Sequence, residues 1–299
     1  MKIVLTGSLG HISRPLTADL IQKGHAVTVI SSNPEREEEI AATGALPAVG
    51  SMDDAGFLTD TFAGADAVYT MVPPANYFDH DLDLLAYYRS KGNNYAKAIQ
   101  ESGVKRVVNL STIGGHLGAG EGSGILLGAH DVELILNALP SNVSITHMRP
   151  VSFYYNLYGY VEAIKNQGAI IANYGAEDEI PWVSPVDIAV AVAEEIVRPY
   201  TGRSVRYVAS DDRTGNDTAA VLGAAIGKPD LKWVIAPDAQ VQSALEGMGM
   251  NPKIAAGLVE MYGSLHNGVL AEDYLHHKPV MGKVKLEDFA IEFAAAFQH

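Results

Sequence analysis

The 299-residue chain contains no cysteine, two tryptophans, and fewer bases than acids: 21 Lys and Arg against 35 Asp and Glu, a formal net charge of −14. Each shortage excludes something. Without cysteine there is no disulfide, no zinc–thiolate site and no thiol nucleophile. The acidic balance argues against direct nucleic-acid binding, which needs a basic surface to neutralise phosphates. No apolar run approaches the roughly 20 residues that span a bilayer, so no membrane contact is expected. The opening, one lysine and the short run Ile3–Leu5, does not read as a signal peptide, and the expected location is cytoplasmic. P-loop and GxSxG patterns are missing. The acids of "DHDLD" (79–83) suit a helix start, and the adjacent His276 and His277 do not share a helix face, so no metal is expected.

What is present is a regular alternation. Short apolar runs at 2–6, 26–31, 46–50, 66–72, 105–111 and 143–150 read as strands. Between them lie helical stretches. The first is "SRPLTADLIQKG", with Ser13 as cap, Pro15 in the first turn and Gly24 as stop. A charged helix opened by Asn33-Pro34 follows, then "DAGFLTDTFAG" capped by Asp53, a long helix over 77–102, and "GILLGAHDVELILNAL". Strands that are apolar throughout, joined by short helical crossovers, predict an α/β fold of the Rossmann type, a doubly wound parallel sheet with helices on both faces. We assign residues 1–152 to this domain. Residues 180–210 are expected to return to it, as a short extended piece, a helix capped by Asp187 and a strand at 204–210. Residues 153–179 and 211–299 are expected to form a small C-terminal substrate lobe, with helices over 153–168 and near 216–226, 237–247, 252–264 and 286–297.

The stretch "TGSLGHIS" between the first strand and the first helix has the makings of a pyrophosphate site. Gly7 supplies the tight turn and Gly10 lets the backbone come close. The amides of Gly10, His11 and Ile12 are expected to face the phosphates at a helix N-terminus. Ser13 takes the place of a third glycine, a mild departure. NAD sites usually carry an acid at the end of the second strand, for the ribose 2′-hydroxyl. Here the tip is Ser31, Ser32 and Asn33, whose side chains can donate to a phosphate, with Arg36 or Arg14 to lend charge. The tip favours NADP over NAD. Ser32 and Asn33 can equally cap the next helix, which suits either cofactor.

In their order and spacing, "TGSLGHI", "GADAVYTMVPP", "VKRVVNLST", "HDVELILNAL", "THMRPVSFYYN" and "IPWVSPVDIAVAVAEEI" resemble the NmrA-like branch of the extended, atypical short-chain dehydrogenase/reductase superfamily. The likeness covers residues 1 to about 200 and no motif extends it further. It implies NAD(P) across the carboxyl ends of the strands, with Gly7, Gly10, His11 and Ile12 on the pyrophosphate. It implies Met71, Val72 and Pro73 along the adenine and ribose wall, Ser111 as the superfamily's serine after the fifth strand, and Pro150, Ser152 and Phe153 beside the nicotinamide. Members include NAD(P)H-dependent quinone and azo reductases, isoflavone-reductase-like enzymes, and redox-sensing regulators that bind the dinucleotide without turnover. Three positions depart. Ser32 stands where many members have a 2′-phosphate-binding arginine, and Ser51 where many have an adenine-side aspartate. Aligned on "HDVE", the superfamily's tyrosine and lysine positions hold Leu126 and His130.

Loss of the Tyr–Lys pair removes the usual proton relay to an alcohol or ketone. A quinone or diazo group accepts hydride without the strict protonation a ketone demands, so the chain fits an oxidoreductase acting on a quinone, azo or similar planar aromatic acceptor. His130 is the candidate to touch the nicotinamide ribose or supply a proton, its ordinary pKa of about 6.5 suiting that task, and Ser111 is the second catalytic candidate. His130 can also be an ordinary polar helix residue. Phe153, Tyr154 and Tyr155, with Tyr158 and Tyr160 beyond, offer flat walls to such an acceptor, though packing between lobes is the favoured role of the tyrosines. The glycine-rich loop at 114–124, with His116 and Glu121, reads as a mobile cover or as a surface loop. The alternative reading is a non-catalytic NAD(P) redox sensor acting through a protein partner. A sugar-nucleotide epimerase is weaker still without the Tyr–Lys pair. The helix over 77–102 is open to pairing two chains as a homodimer or to covering the sheet.

Overall fold

The computed structural model describes residues 1–298. From the N-terminus come β1 (Lys2–Leu5), α1 (Ser13–Gln22), β2 (Ala26–Ser31), α2 (Glu37–Ala42), β3 (Leu46–Val49), α3 (Ala55–Phe62), β4 (Ala67–Thr70), α4 (Leu84–Ser102), β5 (Arg106–Leu110), α5 (Leu127–Asn137) and β6 (Ser144–Pro150). Next are β7 (Ser152–Phe153), α6 (Val161–Gln167), β8 (Ala169–Ala172), β9 (Glu179–Val183), α7 (Pro185–Val197) and β10 (Arg203–Val208). The chain ends through β11 (Asp211–Thr214), α8 (Gly215–Ala225), β12 (Lys232–Ile235), α9 (Asp238–Gly247), α10 (Pro252–His266), α11 (Glu272–His276) and α12 (Leu286–Phe297).

Seven strands form one parallel sheet in the order β10-β6-β5-β4-β1-β2-β3. The strand order reverses between β1 and β4, which opens a crevice at their carboxyl ends. Both faces of the central strand β1 are apolar for a visible reason. Ile3 and Leu5 pack with Leu16 and Leu20 of α1 and Ile188 and Val192 of α7. Val4, between them, packs with Leu58 and Phe62 of α3, Tyr95 and Ile99 of α4, and Val132 and Leu136 of α5. A strand covered on both sides reads as a continuous apolar run.

The stretch 180–210 divides. The strand β10 pairs in parallel with β6 as the sheet edge, and α7 packs on α1. By contrast, β9 lies outside that layer, in a three-stranded sheet between β7 and β11. A further pair, β8 with β12, completes the strands of the lobe. Aromatic rings fill its core. Tyr154 stacks on Trp182 and Phe289, Tyr158 on Phe293, and Tyr160 packs on Trp233. Residues 153–168 are not one α-helix: a 3-10 turn over 154–160 precedes α6.

Short acids account for several other differences. The long helix starts at Leu84, not at 77, because Asn76 and Asp79 bind their own backbone two residues on and Asp83 caps the helix through the Ala86 N–H at 2.9 Å. At α3 the cap is Asp54, not Asp53. At α7 the cap is Ser184, and the buried Asp187 instead accepts the backbone N–H groups of Lys283 and Val284, each at 3.0 Å. The cap position of α1 is Ile12. The 114–124 loop is packed, not a loose cover. Ile113 and Leu117 are buried, Glu121 accepts the Gly118 N–H at 2.6 Å, and a side chain at Gly124 would run into the Gly257 carbonyl of α10. Among the described residues no helix is long and apolar enough to cross a membrane, and no three His, Cys, Asp or Glu side chains converge as metal ligands.

Candidate active site

The turn after β1 is shaped by what it excludes. Gly7 has φ +89°, and a Cβ there would lie 2.9 Å from Ser13 Oγ and 3.1 Å from the Met71 side chain, so only glycine fits. Ser13 does not cap α1; its hydroxyl donates to the Thr6 carbonyl at 3.0 Å, which pins the helix to the strand end where a third glycine would otherwise let them approach. The Gly10 amide donates to Gly7 O at 3.2 Å, so it is spent within the turn. The amides of His11 and Ile12 donate to no group among the described residues, and α1 carries no side-chain cap. Beside the turn, Tyr69 of β4 ends in a buried hydroxyl without a partner among the described residues, and burial, with Tyr95 and Tyr155 near it, keeps that phenol protonated. Free helix N-terminal amides and an unused buried donor are what an anionic, hydroxyl-rich ligand such as a dinucleotide satisfies.

At the β2 tip the side chains divide. Ser31 is buried, accepting from Ser8 Oγ and the Asn33 N–H and donating to Asn33 O, so its hydroxyl is engaged within the protein. Asn33 caps the next turn through the Glu35 N–H at 2.9 Å. Ser32 is exposed. Arg36 and Arg14 both reach Glu39, Arg36 at 3.5 Å and Arg14 in close contact. The Arg14 hydrogen bond holds the Glu39 carboxyl below the usual carboxylate range. Two cations therefore stand beside the tip under one carboxylate.

The expected adenine and ribose wall is braced from behind. The Met71 N–H donates to Thr6 Oγ1 at 2.9 Å, Tyr95 Oη donates to Met71 O at 2.6 Å, and Tyr87 Oη donates to Pro73 O at 3.2 Å. Met71, Val72 and Pro73 are all half-buried. Beside Ser51, Asp53 pairs with the buried Lys91, whose amine also lies 4.4 Å over the Tyr87 ring. Asp53 thus places a carboxylate two residues from the serine that replaces the usual acid.

At the β5 and β6 ends a buried polar network appears. Ser111 Oγ donates to Glu133 Oε1 at 2.5 Å, and Arg149 grips the same carboxylate through Nε at 2.9 Å and Nη2 at 2.7 Å. Arg149 Nη1 extends to Asp273 Oδ2 at 3.3 Å, which also accepts Tyr207 Oη at 2.6 Å. Burial opposes the Arg149 charge, but Glu133 outweighs it and holds the guanidinium pKa above its ordinary value. His116, from the glycine loop, lies 3.9 Å from the same Asp273 oxygen, and burial lowers its pKa. Outside Arg149, a cavity of about 860 Å³ runs along β10 to Val280. Sequence reasoning did not find Glu133, Arg149, Tyr207 or Asp273. The available signal was an acid on the same face of α5 as Leu136 and an arginine within an apolar strand, two buried charges that need each other.

His130 is half-buried and its Nδ1 lies 3.0 Å from Gly115 O. A carbonyl only accepts, so Nδ1 carries the hydrogen and Nε2 is left for a ligand. Pro150 is buried at the end of β6, and its carbonyl accepts the Ile113 N–H at 2.8 Å; Ser152 and Phe153 are half-buried in β7. Tyr154, 1% exposed and held between Trp182 and Phe289, cannot face a substrate, whereas Tyr155 is half-buried against His11 and Phe153.

Comparison with known proteins agrees with this geometry. Residues 7–130 match an NAD(P)H-binding family. Across 298 residues the chain is 24% identical to the NAD(P)H azoreductase of Xenophilus azovorans, covering 99% of each protein. An NADPH-dependent quinone oxidoreductase of Escherichia coli, solved with NADPH, superimposes with a TM-score of 0.80 at 19% identity, over 97% of this chain and 99% of that one. The triphenylmethane reductase of Citrobacter sp., solved with NADP(H), does so with a TM-score of 0.78 at 18% identity, over 98% and 99%. Residues 7–130 thus match an NAD(P)H-binding family, and the chain as a whole shares the fold of these two solved reductases.

Proposed function

We propose that the protein is an NAD(P)H-dependent reductase that passes hydride to a quinone, azo or similar planar acceptor. The observation that carries this reading is the cradle between β1 and α1, with its two free amides and uncapped helix, in a chain that resembles an azoreductase over nearly its full length. When bound, NAD(P)H supplies the hydride. The chain's part is to place the acceptor, exclude water and handle one proton.

Of the two catalytic candidates, Ser111 has its hydroxyl spent on Glu133, while His130 keeps Nε2 open and its ring oriented by Gly115. His130 is the residue we assign to the proton or to the nicotinamide ribose. Leu126, in the usual tyrosine position, offers apolar surface where a sugar or alcohol would need a hydroxyl partner. Phe153 and Tyr155 wall the acceptor side. On this reading residues 1–152, with most of 180–210, hold the cofactor, and 153–179 with 211–298 cover the acceptor. NADPH is preferred to NADH, because Ser32, Arg14 and Arg36 flank the place of the 2′-phosphate once Glu39 gives way.

Titration of the purified protein with NADPH and NADH, followed by nicotinamide fluorescence, tests the cofactor. Oxidation of the bound form by a panel of quinones and azo dyes tests the reaction. Tight cofactor binding with no turnover across the panel would refute the reductase.

A further inference from the structure

The turn that faces the pyrophosphate and the first segment of the lobe meet through two rings. His11, exposed between Gly10 and α1, stacks on Tyr155 with centroids 4.9 Å apart and planes 26° from parallel. Tyr155 packs in turn on Phe153, centroids 5.0 Å apart. Its neighbour Tyr154 is locked between Trp182 and Phe289, so the backbone of Tyr155 is anchored while its ring is turned to the turn. Burial pushes the Tyr155 hydroxyl up to about 12, so at neutral pH the ring is uncharged. Nothing in the turn itself requires the imidazole, which lies outside the apolar core.

Resting on the dinucleotide reading above, we propose that His11 and Tyr155 form a latch across the cofactor groove, closed over bound NAD(P)H and parted when it enters or leaves. The amides of His11 and Ile12 are the pyrophosphate's place, and Pro150 to Phe153 the nicotinamide's. The stack joins these two ends, so the middle of the dinucleotide passes beside it. An offset aromatic stack suits a latch, since its loss alters a rate by roughly two- to tenfold and no more. In this role His11 and Tyr155 set how long the cofactor stays.

Stopped-flow fluorescence with NADPH and the full-length protein tests this, measuring association and displacement for the unmodified protein, His11→Ala, Tyr155→Ala, the double variant, His11→Phe and Tyr155→Phe. Each alanine variant is expected to speed both entry and release by about two- to tenfold. The double variant should be no faster than either single one, and the two phenylalanine variants, which keep the stack, should stay near the unmodified rates. Thermal melting is read alongside; because His11 is exposed, His11→Ala should fold even if Tyr155→Ala loses stability. Unchanged rates in His11→Ala overturn the latch. So does weaker binding in His11→Ala with none in Tyr155→Ala, which would make His11 a direct phosphate contact. Failure of the unmodified protein to bind NADPH is a different result, and overturns the dinucleotide reading along with the latch.

Discussion

Removing the charge of Glu133 is expected to destabilise the protein by about 3 kcal/mol. Glu133 is 4% exposed and Arg149 6%, and two hydrogen bonds join them at 2.9 and 2.7 Å. Glu133→Gln keeps the shape and one acceptor for Ser111 but strands a buried guanidinium. Losing one partner of such a pair costs roughly 3–5 kcal/mol. Asp273, half-buried and 3.3 Å from Arg149, remains as a second carboxylate, which places the loss at the low end. Adding Arg149→Met removes the stranded charge. It should recover most of the stability, because apolar replacement of a whole buried pair is often neutral. Urea unfolding followed by circular dichroism, and separately by the fluorescence of Trp182 and Trp233, measures both changes. A loss under about 1 kcal/mol, or a double variant weaker than Glu133→Gln, would refute the view that Arg149 depends on Glu133 for its charge.

Three further outcomes are expected. Glu39→Gln should free Arg14 and Arg36 and tighten NADPH severalfold in a fluorescence titration, leaving NADH unchanged; an equal effect on both would remove these arginines from the 2′-phosphate. His147 is buried between Asn109 and Asn137, and desolvation lowers its pKa to about 4. Below its unfolded value of about 6.5 only the unfolded state takes up the proton, so stability falls from there down to pH 4, by up to roughly 3 kcal/mol. His147→Gln should flatten that part of the urea-midpoint profile, and parallel profiles would sink the assignment. Gly7→Ala should cost about 2 kcal/mol, from the left-handed backbone and displacement of Ser13, whereas Gly10→Ala, whose Cβ would press on the Gly7 carbonyl at 3.2 Å, should cost less and weaken NADPH binding. Comparable stability losses in both would contradict this division.

How much could be read along the chain follows from how local each signal is. The sheet was legible because helices press on both faces of its central strands, as Ile3, Val4 and Leu5 show in three consecutive positions. Residues 77–83 were misread as helix because Asn76, Asp79 and Asp83 bind nearby backbone, and periodicity does not report that competition. The strands β8, β11 and β12 were missed because each pairs with, and packs on, segments far away in the chain. In the candidate site, the Gly7–Ser13 turn is contiguous and its tight bend was legible, whereas the inward turn of the Gly10 amide and the Ser13 hydroxyl was not.

By itself, then, the sequence determined the parallel α/β sheet and the glycine turn between its first strand and first helix, since each is written in neighbouring residues or in their period. Only the tertiary structure decided that Ser111 is spent on Glu133, that Arg14 and Arg36 share Glu39, that Tyr154 is core while Tyr155 meets His11, and that Asp273 from the last third reaches Arg149. These are pairings between distant positions. Hydrophobic periodicity says which face of an element is buried, but the partner of a buried polar group is chosen only when the closed chain leaves it nothing else to bond.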